Sequence, residues 1–226
     1  MIKLNKTKWR IIEELSIEDK TPTDLAKKLK IKLSSLHIQS KELEKENLIK
    51  KVGEIKGKTR PFTKYSIAEG FIYLVKALPN ETEQKFLECD ENIIFHLRIW
   101  SIPQKKYHYL IEKFWWEIQK HIKNIDALIL FGSAAIGDAR EGSDIDILIL
   151  AKTDIEKYQE MFGAYIIGQK EKEEIIMAKV FTAEDFENSL KKGSKFAEEV
   201  IKKHIILYDP NKKFKKIKDE FSRKTS

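Results

Sequence analysis

Cysteine is nearly missing from this chain. The single thiol, Cys89, excludes an internal disulfide framework and fits a reducing cytoplasm. No second Cys or His stands at ligand spacing from it, so it reads as a buried structural thiol. The same holds for His96, His108 and His121, which show no metal-ligand spacing. No uninterrupted apolar run reaches membrane-spanning length, which argues against a helical membrane protein. The opening residues, Met1 to Lys6, lack the apolar core of a secretory leader. No internal repeat is visible, and that excludes a solenoid.

Charge is abundant but unevenly spread. Of 226 residues, 42% are hydrophobic and 35% charged, enough apolar material for real cores beneath a heavily charged surface. The length suggests two domains. Residues 1–78 hold 18 Lys/Arg against 10 Asp/Glu, a net +8, whereas the remainder holds 25 against 26. The basic excess belongs to the N-terminal part alone, and such a bias points to nucleic acid as its partner.

Local signals there are clear. Thr7–Ser16 reads as a helix with Trp9, Ile12 and Leu15 on one face. Thr21-Pro22-Thr23-Asp24 opens a second helix: Thr21 caps, Pro22 suits the first helical position and Asp24 favours the positive end. A third helix spans Ser34–Glu46 with Leu36, Ser40 and Leu43 inward. Asn47–Val52 and Phe62–Ile67 read as strands joined by the basic turn Gly53–Arg60. Three helices and a hairpin resemble the winged helix-turn-helix fold. The resemblance implies a recognition helix presenting Ser34, Ser35, His37, Ile38 and Lys41 to a major groove, with Lys56, Lys58, Arg60 and Lys64 of the wing suited to the DNA backbone or minor groove.

Further along, Ala68–Leu78 reads as an apolar helix ended by Pro79-Asn80. Glu81–Trp100 and Gln104–Lys123 read as two aromatic-rich helices, a linker or dimerisation region.

The stretch Asp126–Ala151 differs in kind. Two apolar runs, Ala127–Phe131 and Ile145–Leu150, have strand length and flank a small-residue, acidic loop. Gly132-Ser133 follows the first run; Asp144 and Asp146 open the second. Strand residues two apart share a face, so the two carboxylates project together. Paired carboxylates repel unless a cation joins them, and the natural partner is a hard divalent ion with oxygen ligands, Mg²⁺ first among them. Gly132 permits a tight turn, Ser133 adds a hydroxyl and an N–H, and a short helix starting near Ala134 favours phosphate at its N-terminus. The outline is that of a nucleoside-triphosphate site.

Gly132-Ser133, ten residues, then Asp144-Ile145-Asp146 resembles the G-S-x10-D-x-D signature of the minimal nucleotidyltransferases in the polymerase-β-like superfamily. Val180–Phe186 and Lys195–Asp209 are similar to the segments that follow the site and close the domain in that family, giving coverage of about residues 122–210. Two features depart from the pattern. Ile136 stands before Gly137 where the family often has Arg, with Arg140 as a substitute charge. The later strand, Glu174–Val180, has no acid at its centre, so Glu174 at its start, with Glu173 behind it, becomes the candidate third carboxylate.

The resulting expectation is an α+β or α/β chain. A winged helix-turn-helix domain spans 1–78, a helical linker or dimerisation region 79–123, a nucleotidyltransferase domain with a small mixed sheet 124–210, and a basic, partly helical tail 211–226. Asp144 and Asp146 hold Mg²⁺, Glu174 completes the catalytic set, and Gly132 and Ser133 bind the triphosphate, ATP before others although no base-reading motif is visible. Ser34, Ser35, His37, Lys41, Lys58 and Arg60 contact DNA. The acceptor stays open, a protein hydroxyl among the choices, and a homodimer fits palindromic DNA. An alternative remains: a DNA-binding regulator whose nucleotidyltransferase domain is a degenerate nucleotide sensor or dimerisation module.

Overall fold

A computed structural model of the chain describes residues 4–55, 62–169 and 172–225. It divides into two compact units, residues 1–89 and 90–226.

The first unit begins with helices α1 (Lys6–Ile17), α2 (Pro22–Leu29) and α3 (Leu33–Lys45). Side chains start the first two: Asn5 accepts from the Lys8 amide, and Thr21 accepts from the Asp24 amide with Pro22 next to it. Strands β1 (Ile49–Ile55) and β2 (Phe62–Ile67) then pair antiparallel, with a bulge between Val52 and Glu54. Ile11, Leu15, Leu25, Leu36, Leu43, Ile49 and Tyr65 form the core. Trp9, expected inside, is 45% exposed: the buried stripe is Lys8, Ile11, Ile12 and Leu15, and Lys8 is neutralised there by Glu42 at 2.6 Å.

The next segment overturns the expected helices. Residues 72–87 form a hairpin of β3 (Ile72–Leu78) and β4 (Glu81–Leu87), paired from Ile72↔Leu87 to Leu78↔Glu81. Gly70 at φ +86° ends any helical run, and Pro79-Asn80, with Asn80 at φ +65°, closes a two-residue turn. The Glu, Gln and Lys residues of β4 favour helix in isolation. Pairing overrides them: Lys76 bridges Glu81 and Glu83, and Tyr73 stacks on Phe86. Cys89, expected to be buried, is exposed.

Asp90 caps α4 (Glu91–Trp100), accepting from Asn92 and Ile93, and so starts the second unit. After α5 (Lys106–Ile118) come β5 (Ile125–Phe131), α6 (Gly132–Ile136), β6 (Ile145–Ala151), α7 (Ile155–Phe162), β7 (Tyr165–Gln169) and β8 (Lys172–Phe181). Then follow α8 (Ala183–Lys191), α9 (Lys195–Lys202), β9 (His204–Tyr208) and α10 (Lys213–Thr225). The strands make one mixed sheet, β7-β8-β6-β5-β9, in which only β6 and β8 run parallel.

Strand alternation divides the sheet into two faces. Leu128, Leu130, Ile145, Ile147 and Ile149 pack with residues of α4, α5 and α7 on one side. Ala127, Ile129, Phe131, Leu148 and Leu150 pack with α8, α9 and α10 on the other. Helices α4 and α5, expected as a linker, are therefore a layer of this unit, with Phe95 stacked on Trp115 at 3.9 Å. The tail is a core element too: Phe214 is fully buried, and Lys213 reaches buried Asp126 at 2.6 Å. Of the linker aromatics, Phe95, Tyr107, Phe114 and Trp115 are buried, whereas Trp100, Tyr109 and Trp116 are more than half exposed. Among the described residues, no helix is long and apolar enough to cross a membrane.

Candidate active site

β5 and β6 are antiparallel neighbours, and Phe131 at the end of β5 faces Asp146 at the start of β6. The chain then turns at Gly132, whose φ is +68°. The backbone angle favours glycine, and a Cβ at this position would lie 2.5 Å from Asp146 Oδ2 and push the carboxylate aside. Ser133 follows, half-buried, in the five-residue helix α6.

Ile145 and Ile147 point into the layer of α4, α5 and α7, so Asp146 between them projects from the opposite face, and exposed Asp144 just precedes the strand. Burial pushes the Asp146 carboxyl above the usual aspartate range, the charges of Asp144 and Glu199 push it further, and Lys179 opposes them. Two acids, Asp144 and Glu199, and one cation, Lys179, thus act on the half-buried carboxyl.

The candidate third carboxylate is not brought to this place. In the parallel β6–β8 register Met177 stands beside Asp146, and Ile176, Ala178 and Val180 turn to the opposite, buried face. Glu174 shares their parity. It pairs in register with buried Ile167 on β7, and it acts on Lys106 of α5. Period-two alternation thus carries Glu174 to the face away from the aspartates. Among the described residues, no group of three or more His, Cys, Asp or Glu side chains is arranged to hold a metal.

Sequence reasoning missed the residues that do border the site. Lys179 lies two residues beyond Met177 on the same face, its Nζ 4.1 Å from the centre of the Phe196 ring. Phe196, from α9, packs edge-on against Phe131 at 5.5 Å. Glu199 sits one helical turn after Phe196. The alternation of β8 could have singled out Lys179; nothing local pointed to Glu199.

In the first unit, Ser34, Ser35, His37, Ile38 and Lys41 are exposed on α3, and Leu36, Ser40 and Leu43 are buried behind them. Lys58 and Arg60, with Lys56, lie outside the described residues. The remaining histidines have structural partners: His96 meets Glu112 at 3.1 Å, His108 bonds the Ile102 carbonyl at 2.9 Å, His121 packs against the Tyr158 and Phe162 rings, and His204 bonds the Ile201 carbonyl at 3.0 Å.

Residues 116–213 match the family model described as Polymerase beta, Nucleotidyltransferase. The matched segment begins within α5 and runs through the whole sheet to the first residue of α10, and it contains Gly132, Ser133, Asp144 and Asp146. No curated protein matches the chain.

Proposed function

We propose that the second unit transfers a nucleoside monophosphate from a nucleoside triphosphate, ATP among them, to an acceptor. The observation that carries this is half-buried Asp146 against the Gly132 turn, with exposed Asp144 two residues before it, inside a segment that matches a nucleotidyltransferase family model.

The residues fit Mg²⁺. Two carboxylates two residues apart, one of them half-buried, suit a hard cation that commonly takes one or two carboxylates, completing its shell with water and substrate phosphates. Asp144 and Asp146 would hold it. When bound, it would supply charge neutralisation at the reacting phosphate. The chain's own part is positioning. Gly132 brings the backbone close to the phosphates, and the Ser133 hydroxyl and N–H donate to their oxygens. The attacking and departing oxygens of a phosphoryl transfer lie in line. With the phosphates on the β5 side, the acceptor comes over β8 and β7, where Ile166, Ile175 and Met177 are exposed on the face of Asp146. That apolar surface favours a protein hydroxyl over a polynucleotide, which would call for cations and aromatic platforms.

For the first unit, α1 to α3 and the β1–β2 hairpin support a winged helix that binds DNA through α3, drawn by the local excess of positive charge. A duplex titrated at several salt concentrations tests it; affinity independent of salt would count against it.

One observation favours a second reading, a nucleotide sensor without turnover: Met177 occupies the strand position beside Asp146. Calorimetry of Mg²⁺ with each nucleoside triphosphate, together with pyrophosphate release in cell extract, separates the two. Binding with release makes the unit a transferase. Binding without release, converted to release by Met177→Asp, makes it a sensor. A wild-type protein that binds no nucleotide ends both.

A further inference from the structure

Asp144 and Asp146 are held differently. Asp146 lies within the β6 ladder, fixed on one side by Phe131 and on the other by Met177. Asp144 precedes the ladder, whose first paired residue toward β8 is Ile145. Its carboxylate is placed by the loop 137–144, which leaves α6 at Gly137 and returns at β6. Bonds within the loop are few. The Gly137 and Asp138 amides donate back to the Ser133 carbonyl at 3.0 and 3.2 Å. Arg140 and Ser143 clasp each other: the Arg140 amide donates to Ser143 Oγ at 3.0 Å and the Ser143 amide to the Arg140 carbonyl at 3.2 Å.

Ala139 is buried in the layer of α4, α5 and α7, and further support comes from the corner between α4 and α5. Gln104 Nε2 donates to the Ala139 carbonyl at 2.8 Å, and Lys106 Nζ donates to the Arg140 carbonyl at 3.2 Å. Pro103 closes against Gly137, where φ is +85° and a Cβ would come within 2.8 Å of the proline ring. The corner is itself rigid. Ile102 is 2% exposed, its amide bonds the Ile99 carbonyl at 3.0 Å, and its carbonyl takes His108 Nε2 at 2.9 Å. Gln104 Oε1 has no hydrogen-bond partner among the described residues, so the described bonding of this amide is spent on the loop. Flipping the amide would set oxygen against oxygen, which fixes its orientation.

We propose that Gln104, backed by Lys106 and Pro103, is the positioning residue for Asp144: it holds the loop between the Gly-Ser turn and the aspartates so that the two carboxylates meet one cation. This rests on the reading of Asp144 and Asp146 as metal ligands. It gives the α4–α5 layer, most of which lies outside the matched family segment, a part in the site.

Gln104→Met and Gln104→Glu keep the side chain's length. The first removes the donor; the second, ionised, turns a charge on the Ala139 carbonyl. Amide hydrogen exchange of the metal-free protein reads the loop, and calorimetry with Mg²⁺ and ATP reads the site. In Gln104→Met, exchange across 138–144 rises about tenfold, the worth of one ordinary hydrogen bond, with β5 and β6 unchanged. Metal-dependent ATP affinity falls by a similar factor, and metal-free ATP binding holds. Gln104→Glu shows the same changes more strongly, an order that packing alone would not produce. Unchanged exchange in both variants overturns the proposal, as does faster exchange with metal-dependent affinity intact. Should the wild-type protein bind no Mg²⁺ with ATP, the reading of the site fails instead, while the exchange arm still reports whether Gln104 orders the loop.

Discussion

Two aspartates on adjacent strands show how this sheet treats its two ends. Asp126, at the start of β5, is 2% exposed and meets Lys213 of α10 at 2.6 Å. Asp146, at the start of antiparallel β6, sits at the opposite end, half-buried, with Asp144 and Glu199 adding to its charge and Lys179 as the opposing cation. One carboxylate has a lysine of the chain on its Oδ2, with no partner for Oδ1 among the described residues, and closes a core layer. The other is left short of positive charge at a glycine turn. Burial alone does not mark a functional acid; lack of neutralisation does.

The largest expected effect breaks the open end. Asp146→Ala lowers Mg²⁺-dependent nucleotide affinity by at least about 100-fold, as loss of a direct metal ligand should exceed the usual effect of outer partners. Thermal melting of the same variant shows no loss of fold. At the closed end the pattern reverses. Lys213→Ala strands a buried charge and costs about 2–3 kcal/mol in denaturant unfolding, below the full cost of a broken buried pair because the Lys213 side chain is 43% exposed. Nucleotide affinity of the folded protein stays at the wild-type value. A Lys213→Ala protein that binds nucleotide poorly at temperatures where it is folded would dissolve the distinction between the ends.

Gly132→Ala tests the boundary between them. The left-handed backbone there costs an alanine about 1–2 kcal/mol, and its methyl meets Asp146 Oδ2. Stability and metal-dependent binding should fall together, in melting and in calorimetry. A variant of wild-type affinity would show that the aspartate tolerates displacement.

Much of this was legible in the chain, for identifiable reasons. Alternation put Asp146 on the face opposite Ile145 and Ile147, and a glycine that must adopt positive φ marked the turn. Thr21-Pro22 announced α2 because capping is a local bond. What depended on distant pairing was not legible. Glu81–Leu87 carries helix-forming residues, and only its partner strand makes it β4. Glu174 looked close to the aspartates along the chain, but the β6–β8 register, unavailable from either strand alone, set Met177 there and turned Glu174 to the α5 side. Glu199 and Gln104 come to the site from separate segments, through tertiary packing rather than any spacing, whereas Lys179 was open to the alternation of β8.

The smallest effect separates the two ends by proton linkage. The native-state pKa of Asp146 is raised above the ordinary aspartate value of 3.8, first by burial and then by Asp144. The folded protein therefore binds this proton more tightly than the unfolded chain, and the ionised group costs stability at neutral pH. Asp146→Asn removes that cost while keeping the shape. Without metal, the variant melts above wild type at pH 7, by under about 1 kcal/mol once solvent screening of a half-buried group is allowed for. The gap closes as pH falls through the raised native value and is gone below the ordinary one, where both states of the wild type hold the proton. Mg²⁺ acts in the other direction: it stabilises the ionised wild type and leaves the variant nearly unmoved, so the order of melting temperatures inverts on its addition. An Asn variant less stable than wild type in the absence of metal would mean that Asp146, like Asp126, is already answered from within the chain.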